Sequence, residues 1–275
     1  MKVSSGLSFV FREGYLPLFV MDSSDGFFDN SLMDTSQAAL VAVVFTIAGV
    51  VKGISGMGLP TVAVGLLGII LAPAQAAALL VLPSLATNVA QCKGPHLRAL
   101  ARRLWPMWAG LVLASIFSPW PDVGASAANA RTYLGALLVL YGVWGLWRPV
   151  LPRVRTQHAW SGLVAGALTG FIIAATAVFV VPLVPYLQTL RLEKDEMIQA
   201  LGLSFTVATV ALAIRLHAGA VFVILSPLTG LALLTAVAGI WLGGRLRSKL
   251  SEQMFQRALF VVFVTLGCVN LWRSS

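Results

Sequence analysis

A single lysine, Lys52, interrupts a long apolar stretch and is the only charged residue between Asp34 and Lys93. An ionisable side chain at membrane depth is costly, so it usually faces a polar cavity or a partner rather than lipid. Residues 53–60, which follow it, contain three glycines and one proline. These residue types are poor helix formers, and a helix break there would free backbone groups to point at a ligand. The pattern predicts a binding site for an anion within the membrane.

The residues around this expected break can provide what a dehydrated anion needs, namely hydrogen-bond donors and positive potential. Helix N-termini supply both, through unpaired N–H groups and the positive end of the helix dipole. Gly56 and Gly58 would let the backbone approach the anion, and residues 59–60 would open the next half-helix. Lys52 would add a full charge, and Ser55 in the same turn is a further candidate ligand. The alternative is that Lys52 extends its ammonium to the membrane surface from a shallow hairpin.

A second group of polar side chains has the spacing of one helix face. Successive members are three, one and three residues apart, which places them along the same side of a helix. The alternative role for such residues is hydrogen bonding between helices, worth about 0.6 to 2 kcal/mol each in membranes. The last member also lies close to a predicted loop, where water would reach it. The four candidates are Ser84, Thr87, Asn88 and Gln91.

The second half of the chain offers weaker candidates. Two threonines would flank a second predicted break, and a glycine and a serine lie near it in sequence. Glycines in membrane spans serve close helix packing more often than ligand contact. The candidates are Thr169, Gly170, Thr176 and Ser204.

Composition indicates which elements must position these residues. The chain has 275 residues, of which 58% are hydrophobic and 11% charged, and its mean hydropathy is +0.88. Soluble domains carry about 25% charged residues, whereas repeated apolar runs of about 20 residues are typical of membrane-spanning helices. The sequence therefore predicts an all-α polytopic membrane protein. Its apolar segments are 37–52, 58–71, 75–91, 105–119, 131–148, 160–175, 176–189, 196–214, 219–242 and 255–272.

Charge and internal similarity predict the arrangement of these segments. More than half of the basic residues lie in loops 92–104, 149–159 and 243–254 or at their edges, and such clusters mark the cytoplasmic side. Loop 149–159 is then cytoplasmic, and counting two spans back from loop 243–254 places residues 191–196 on the same side. Both ends of 160–189 are therefore cytoplasmic, so that stretch would enter the membrane and return. Residues 48–53 resemble residues 165–170, which favours a duplication. The prediction is two inverted repeats, each a broken or re-entrant helix hairpin followed by three transmembrane helices.

The corresponding domain organisation has four parts. Residues 1–36 form an N-terminal tail, disordered or interfacial, in which Met33 is a second candidate start. The first membrane repeat covers 37–148, a cytoplasmic linker covers 149–159, and the second repeat covers 160–275.

Several function classes lack the residues that they require. The net charge of +9 is not accompanied by a nucleic-acid-binding motif. Cys92 and Cys268 are isolated, which argues against a disulfide or a metal site. No ATP-binding loop occurs. No predicted span contains a histidine or a buried carboxylate, so we predict neither an enzyme nor a cofactor, and no proton coupling through a buried acid.

Two pairs of motifs resemble the TauE/SafE sulfite exporter family. Residues 49–58 and 83–91 look like its first-half motifs, and residues 181–188 and 199–206 look like its second-half motifs. The resemblance covers about 37–272. It implies a multi-pass permease of the bacterial inner (cell) membrane for sulfite, organosulfonates or related small anions. Where the family's second half often carries a glycine-rich turn, this chain has Ile-Ile-Ala-Ala-Thr.

The leading hypothesis is a secondary transporter that moves a small sulfur-containing anion by alternating access between the two halves. The alternative is an anion channel, or a permease for another small organic anion such as a carboxylate. The expected partners are the anion and the lipid bilayer, without nucleic acid. The sequence leaves open the exact substrate, the direction of transport, a coupling proton or sodium ion, and the oligomeric state.

Overall fold

A computed structural model describes residues 35–118, 127–147, 159–216 and 224–274, which contain helices and no strand. The predicted tail lies outside these residues except for its last two positions, which belong to the first helix. The predicted linker also lies outside them, except for Ala159, which begins a helix. The described helices are α1 (Thr35–Ser55), α2 (Leu59–Leu67), α3 (Pro73–Gln91), α4 (Leu97–Ile116), α5 (Ala127–Trp147), α6 (Ala159–Thr176), α7 (Leu183–Thr189), α8 (Lys194–Arg215), α9 (Pro227–Leu246) and α10 (Glu252–Ser274).

The predicted all-α membrane class is confirmed, since each predicted apolar segment corresponds to one described helix. Six of these helices are long and apolar enough to cross a membrane, namely α1, α3, α6, α8, α9 and α10. Helices α4 and α5 have 20 and 21 residues but do not meet the same criterion. In α4 the first turns carry Arg98, Arg102 and Arg103, which shortens its apolar part. The chain is a membrane protein with several spans.

Local sequence explains where several helices begin. The short helix α2 starts after Gly58, whose φ of 96° favours glycine because it has no Cβ. Pro60, Pro73 and Pro227 occupy the first turns of α2, α3 and α9, where a missing N–H costs no helical hydrogen bond. At the start of α8, Glu193 and Glu196 form a capping box.

Three helix pairs form the closest contacts, and glycines line all of them. Helix α1 packs along α9, α4 along α6, and α5 along α10. A side chain at Gly49 or Gly53 would collide with the backbone of α9, and one at Gly166 or Gly170 would collide with the backbone of α4. Small residues allow such close backbone approach in membranes. The glycine motif that recurs in both halves therefore allows close helix packing in each.

Helices α3 and α8 contact each other and are the most buried of the candidate spans. Arginines stabilise other helix ends by donating to carbonyl groups that have no helical partner. The arginine–carbonyl pairs are Arg131 with Gly68 and Leu71, Arg273 with Ile69, and Arg215 with Ile116 and Ser118. These contacts join α2 to α5 and α10, and α8 to the end of α4.

The glycine contacts predict opposite effects of one substitution at two positions. We expect Gly53→Ala to destabilise the protein by roughly 1 to 3 kcal/mol, because the new methyl group would overlap backbone atoms of α9. We expect Gly244→Ala to be neutral or stabilising by up to about 1 kcal/mol, because no atom lies within 4 Å of the new methyl group. Thermal unfolding of the two variants, purified in detergent, gives the melting temperatures to be compared. Equal melting temperatures would contradict the close contact.

Candidate functional site

Lys52 lies in the last turn of α1 and is buried, with 3% of its surface exposed. Its ammonium donates to the hydroxyl oxygen of Thr87 at 3.0 Å and to the side-chain oxygen of Asn88. Both partners lie on α3, where they are also buried. The ammonium is therefore buried inside the fold.

The partners of Lys52 continue the hydrogen-bond network into the second half of the chain. Thr87 donates its own proton to the carbonyl of Pro83 at 2.7 Å, so its free lone pair faces the ammonium. The amide nitrogen of Asn88 donates to the hydroxyl oxygen of Thr209 on α8 at 3.4 Å. The network thus joins α1, α3 and α8, and we name its four side chains, Lys52, Thr87, Asn88 and Thr209, the lysine cluster.

No carboxylate that the structure describes forms an ion pair with Lys52. The ion pair found among these residues joins His96 and Glu196, whose Nδ1 and Oε1 atoms are 3.5 Å apart. Lys52 is compensated by neutral oxygens, although burying an ammonium costs several kcal/mol. An anion beside it would compensate the charge better, since hydrogen bonds between charged partners are stronger than those to neutral oxygens.

The turn between α1 and α2 lies next to the lysine cluster. Gly56 and Gly58 have φ angles of 79° and 96°, and a methyl group at Gly56 would meet no atom within 4 Å. The Ser55 hydroxyl lies 2.8 Å from the carbonyl oxygens of Val51 and Met57, so it stabilises the turn. The amide nitrogen of Gln91 donates to the Gly56 carbonyl at 2.9 Å. The predicted break is confirmed, and its backbone borders open space.

Three buried polar atoms on α2 and α3 have no hydrogen-bond partner among the described residues. They are the hydroxyl oxygens of Thr61 and Ser84 and the side-chain oxygen of Gln91. Thr61 lies in the first turn of α2, and Ser84 lies one helical turn before Asn88 on α3. Buried polar groups are usually paired, and an unpaired one costs about 1 to 3 kcal/mol. The Thr61 and Ser84 hydroxyl groups therefore keep unused hydrogen-bonding capacity.

The second break lies later in the chain than the sequence predicted. Helix α6 continues to Thr176, and residues 177–182 separate it from α7. The expectation that Thr169 and Thr176 flank the break is wrong for Thr169, which lies within α6 and donates to the carbonyl of Ala165 at 2.7 Å. Helix α6 ends where Ala177 adopts a left-handed φ of 56°, and Pro182 restricts only Val181, the residue before it. Thr176 does border the break and accepts from the backbone of Val178 at 3.2 Å.

The other second-half candidates also have partners outside the lysine cluster. Gly170 packs against the backbone of Leu111 and Ser115 on α4. Ser204 accepts a hydrogen bond from the indole nitrogen of Trp108 at 3.0 Å. The structure therefore brings Thr87 and Asn88 to Lys52. Ser55 and Gln91 instead contact the backbone of the turn after α1. Among the described residues, the second-half candidates have no hydrogen bond to the lysine cluster.

Two residues of the site were missed from the sequence, Thr61 and Thr209. Thr61 is a lone hydroxyl residue in an apolar run, three residues after Gly58, and this isolation was an available signal. Thr209 follows Ser204 and Thr206 in the same segment, so its sequence position gave no comparable signal. Hydroxyl residues in spans commonly bond to their own helix backbone, as Thr209 also does to Phe205, so the sequence did not separate them from structural threonines.

Comparison with known proteins supplies the family. The family model described as "Sulfite exporter TauE/SafE" matches residues 41–270, which contain the lysine cluster, both breaks and all six candidate spans in whole or large part. Neither a curated protein nor a solved structure matches the chain. The matched region covers most of the sequence and agrees with the resemblance carried by its glycine and proline motifs. The chain therefore belongs to the TauE/SafE sulfite exporter family of membrane transport proteins.

Proposed function

We propose that this protein is a secondary transporter that moves sulfite or a small organosulfonate across the bacterial inner membrane. The observation that carries the proposal is the Lys52 ammonium, which is 3% exposed and bonded to the neutral oxygens of Thr87 and Asn88. Such a group attracts an anion strongly because the surroundings have a low dielectric constant.

The lysine cluster offers a route for loading and unloading that never leaves the ammonium unpaired. Without substrate, Lys52 is satisfied by Thr87 and Asn88. An arriving oxyanion accepts a stronger, charge-assisted hydrogen bond, and the hydroxyl groups of Ser84 and Thr61 are free to donate to it. On departure of the anion, the ammonium returns to its neutral partners. An intermediate affinity of this kind suits a protein that must release what it binds.

Helix pairing supports an arrangement in two related halves. Helices α1 to α5 can be matched in order with α6 to α10, so that α1 corresponds to α6 and α4 to α9. Under this correspondence the α1–α9 pair becomes the α6–α4 pair, and the α3–α8 and α5–α10 pairs are unchanged. The glycine pairs at 49 and 53 and at 166 and 170 occupy matching places in this correspondence. Transporters with inverted repeats commonly place their substrate site between the repeats.

The same arrangement gives the substrate site a way to change partners. Lys52 and Asn88 belong to the first half, whereas Thr209 belongs to the second. A movement of one half against the other would alter the contact between Asn88 and Thr209 and with it the surroundings of Lys52. This supports alternating access. The closed packing around Lys52 favours a carrier over the alternative, an anion channel with the same lining.

Counterflow in proteoliposomes tests the proposal. We expect labelled sulfite or a small organosulfonate to enter with a saturable rate, and to enter faster when the vesicles contain the unlabelled anion. Vesicles without protein provide the control, and imposed proton or sodium gradients identify a coupling ion. A rate that never saturates and ignores the internal anion would establish a channel. Transport of small carboxylates without any transport of sulfur anions would establish the alternative substrate class.

A further inference from the structure

A cavity of about 260 Å³ lies between the C-terminal end of α3 and the first turns of α8. Its lining includes Gln91, Lys93, His96, Asp195 and Gln199. Gln91 belongs both to this lining and to the surroundings of the lysine cluster, since it hydrogen bonds to the turn after α1. The cavity therefore adjoins the proposed anion site through one side chain.

The contacts of α3 with α1 and with the turn after α1 form two successive layers. In the first, Lys52 bonds to Asn88. In the second, Gly56 accepts from Gln91 at 2.9 Å. Gly56 follows Lys52 by four residues and Gln91 follows Asn88 by three, which is about one helical turn on each chain segment. Along α3, the Gln91 layer therefore lies between the lysine cluster and the cavity.

The wall of the cavity is held firmly, whereas Gln91 is not. The amide nitrogen of Gln199 donates to the carbonyls of Cys92 and Gly94 at 2.8 and 3.1 Å, and its oxygen accepts from the backbone of His96 at 3.2 Å. Gln199 is 2% exposed, so these contacts fix the loop after α3. Gln91 makes one such bond, and its buried oxygen has no partner among the described residues.

We propose that Gln91 is the gate between this cavity and the lysine cluster, and that the cavity is the port through which the anion reaches or leaves Lys52. The proposal rests on the proposed function. Rotation of the Gln91 side chain breaks one neutral hydrogen bond to Gly56 and removes the side chain from between the cavity and Lys52. The released amide group can then donate to the passing anion. An acceptor oxygen would repel that anion, so the amide must turn its nitrogen toward it.

The labelling rate of a thiol on the far side of the lysine cluster from the cavity measures how readily the gate opens. Ser84 is fully buried and lies one turn from Asn88 on the side away from Gln91. We would introduce Ser84→Cys together with Cys92→Ser and Cys268→Ser, so that the reporter is the single thiol. The probe is 2-sulfonatoethyl methanethiosulfonate, a small sulfonate. We expect Gln91→Ala to raise the labelling rate about tenfold, as expected for the loss of one hydrogen bond that holds a closed state.

Matched variants keep the test decisive. Gln253→Ala changes an exposed glutamine outside the cavity lining and should leave the labelling rate unchanged. Gln91→Leu preserves side-chain bulk without the hydrogen bond and should also accelerate labelling, which covers the case in which Gln91→Ala fails to fold. Gln91→Glu cannot donate to Gly56 and places a negative charge in the path, so it should favour a cationic methanethiosulfonate over the anionic one.

The outcomes separate the gate from the transported substrate. Unchanged labelling in folded, monodisperse Gln91→Ala and Gln91→Leu proteins overturns the gate, even if sulfite flux is saturable. Faster labelling in both variants supports the gate. If the parent protein then moves neither sulfite nor organosulfonates, the proposed substrate fails while the gate stands.

Discussion

Saturable anion flux is expected to fall by about 100-fold or more in the Lys52→Met variant, which corresponds to a loss of about 3 kcal/mol of binding to the transported state. Methionine keeps most of the side-chain length but removes the ammonium that the lysine cluster contains. The anion would then meet the acceptor oxygens of Asn88 and Thr87 without a positive charge. Initial rates of sulfite or organosulfonate uptake into proteoliposomes measure the effect.

The folded state should tolerate this change, because removal of a buried charge offsets the cost of leaving the buried oxygens of Thr87 and Asn88 without a donor. We therefore expect Lys52→Met to fold with a melting temperature within a few degrees of the parent. Lys249→Met removes an exposed lysine and should retain the parental flux. Retention of at least half of the flux by folded Lys52→Met protein would contradict the role of Lys52 in anion binding.

Local chemistry made the first hairpin predictable. Gly56, Gly58 and Pro60 interrupt an otherwise apolar run, and the structure has its break at 56–58 with α2 beginning at Leu59. The apolar pattern ended the first segment at Lys52, whereas α1 continues to Ser55. The difference arises because a helix ends where glycine adopts a positive φ, and charge alone does not end it.

Contacts between distant segments were not predictable in the same way. The bond from Asn88 to Thr209 joins residues separated by 121 positions, and no local signal specifies such a pair. Gly170 was a candidate ligand from the sequence, and the structure packs it against the backbone of α4. The second break begins at Ala177, whose φ is 56°, within a run of apolar residues, and an apolar run gives no indication of the residue at which a helix ends.

Asn88→Asp provides the sharpest test of the charge argument, because it changes charge with almost no change in size. The new carboxylate would lie within hydrogen-bond distance of the Lys52 ammonium, where the amide oxygen is now, and would neutralise it. We expect anion flux to fall by about 100-fold, since the site would lose the net charge that gives the substrate its advantage of about 3 kcal/mol. The melting temperature should stay the same or rise, because a buried ammonium that is bonded only to neutral oxygens gains a charged partner.

The anion flux and the melting temperature of Asn88→Asp together distinguish anion binding from a structural role of the Lys52–Asn88 contact. If the contact only holds α1 against α3, Asn88→Asp preserves or strengthens it and flux should remain at the parental level. If the contact holds a charge for the substrate, the variant is stable and inactive. Asn129→Asp, at an exposed position of α5, controls for the added negative charge and should transport normally. A stable Asn88→Asp protein with parental flux would contradict the proposed anion site, because no buried positive charge would then be needed to move the substrate.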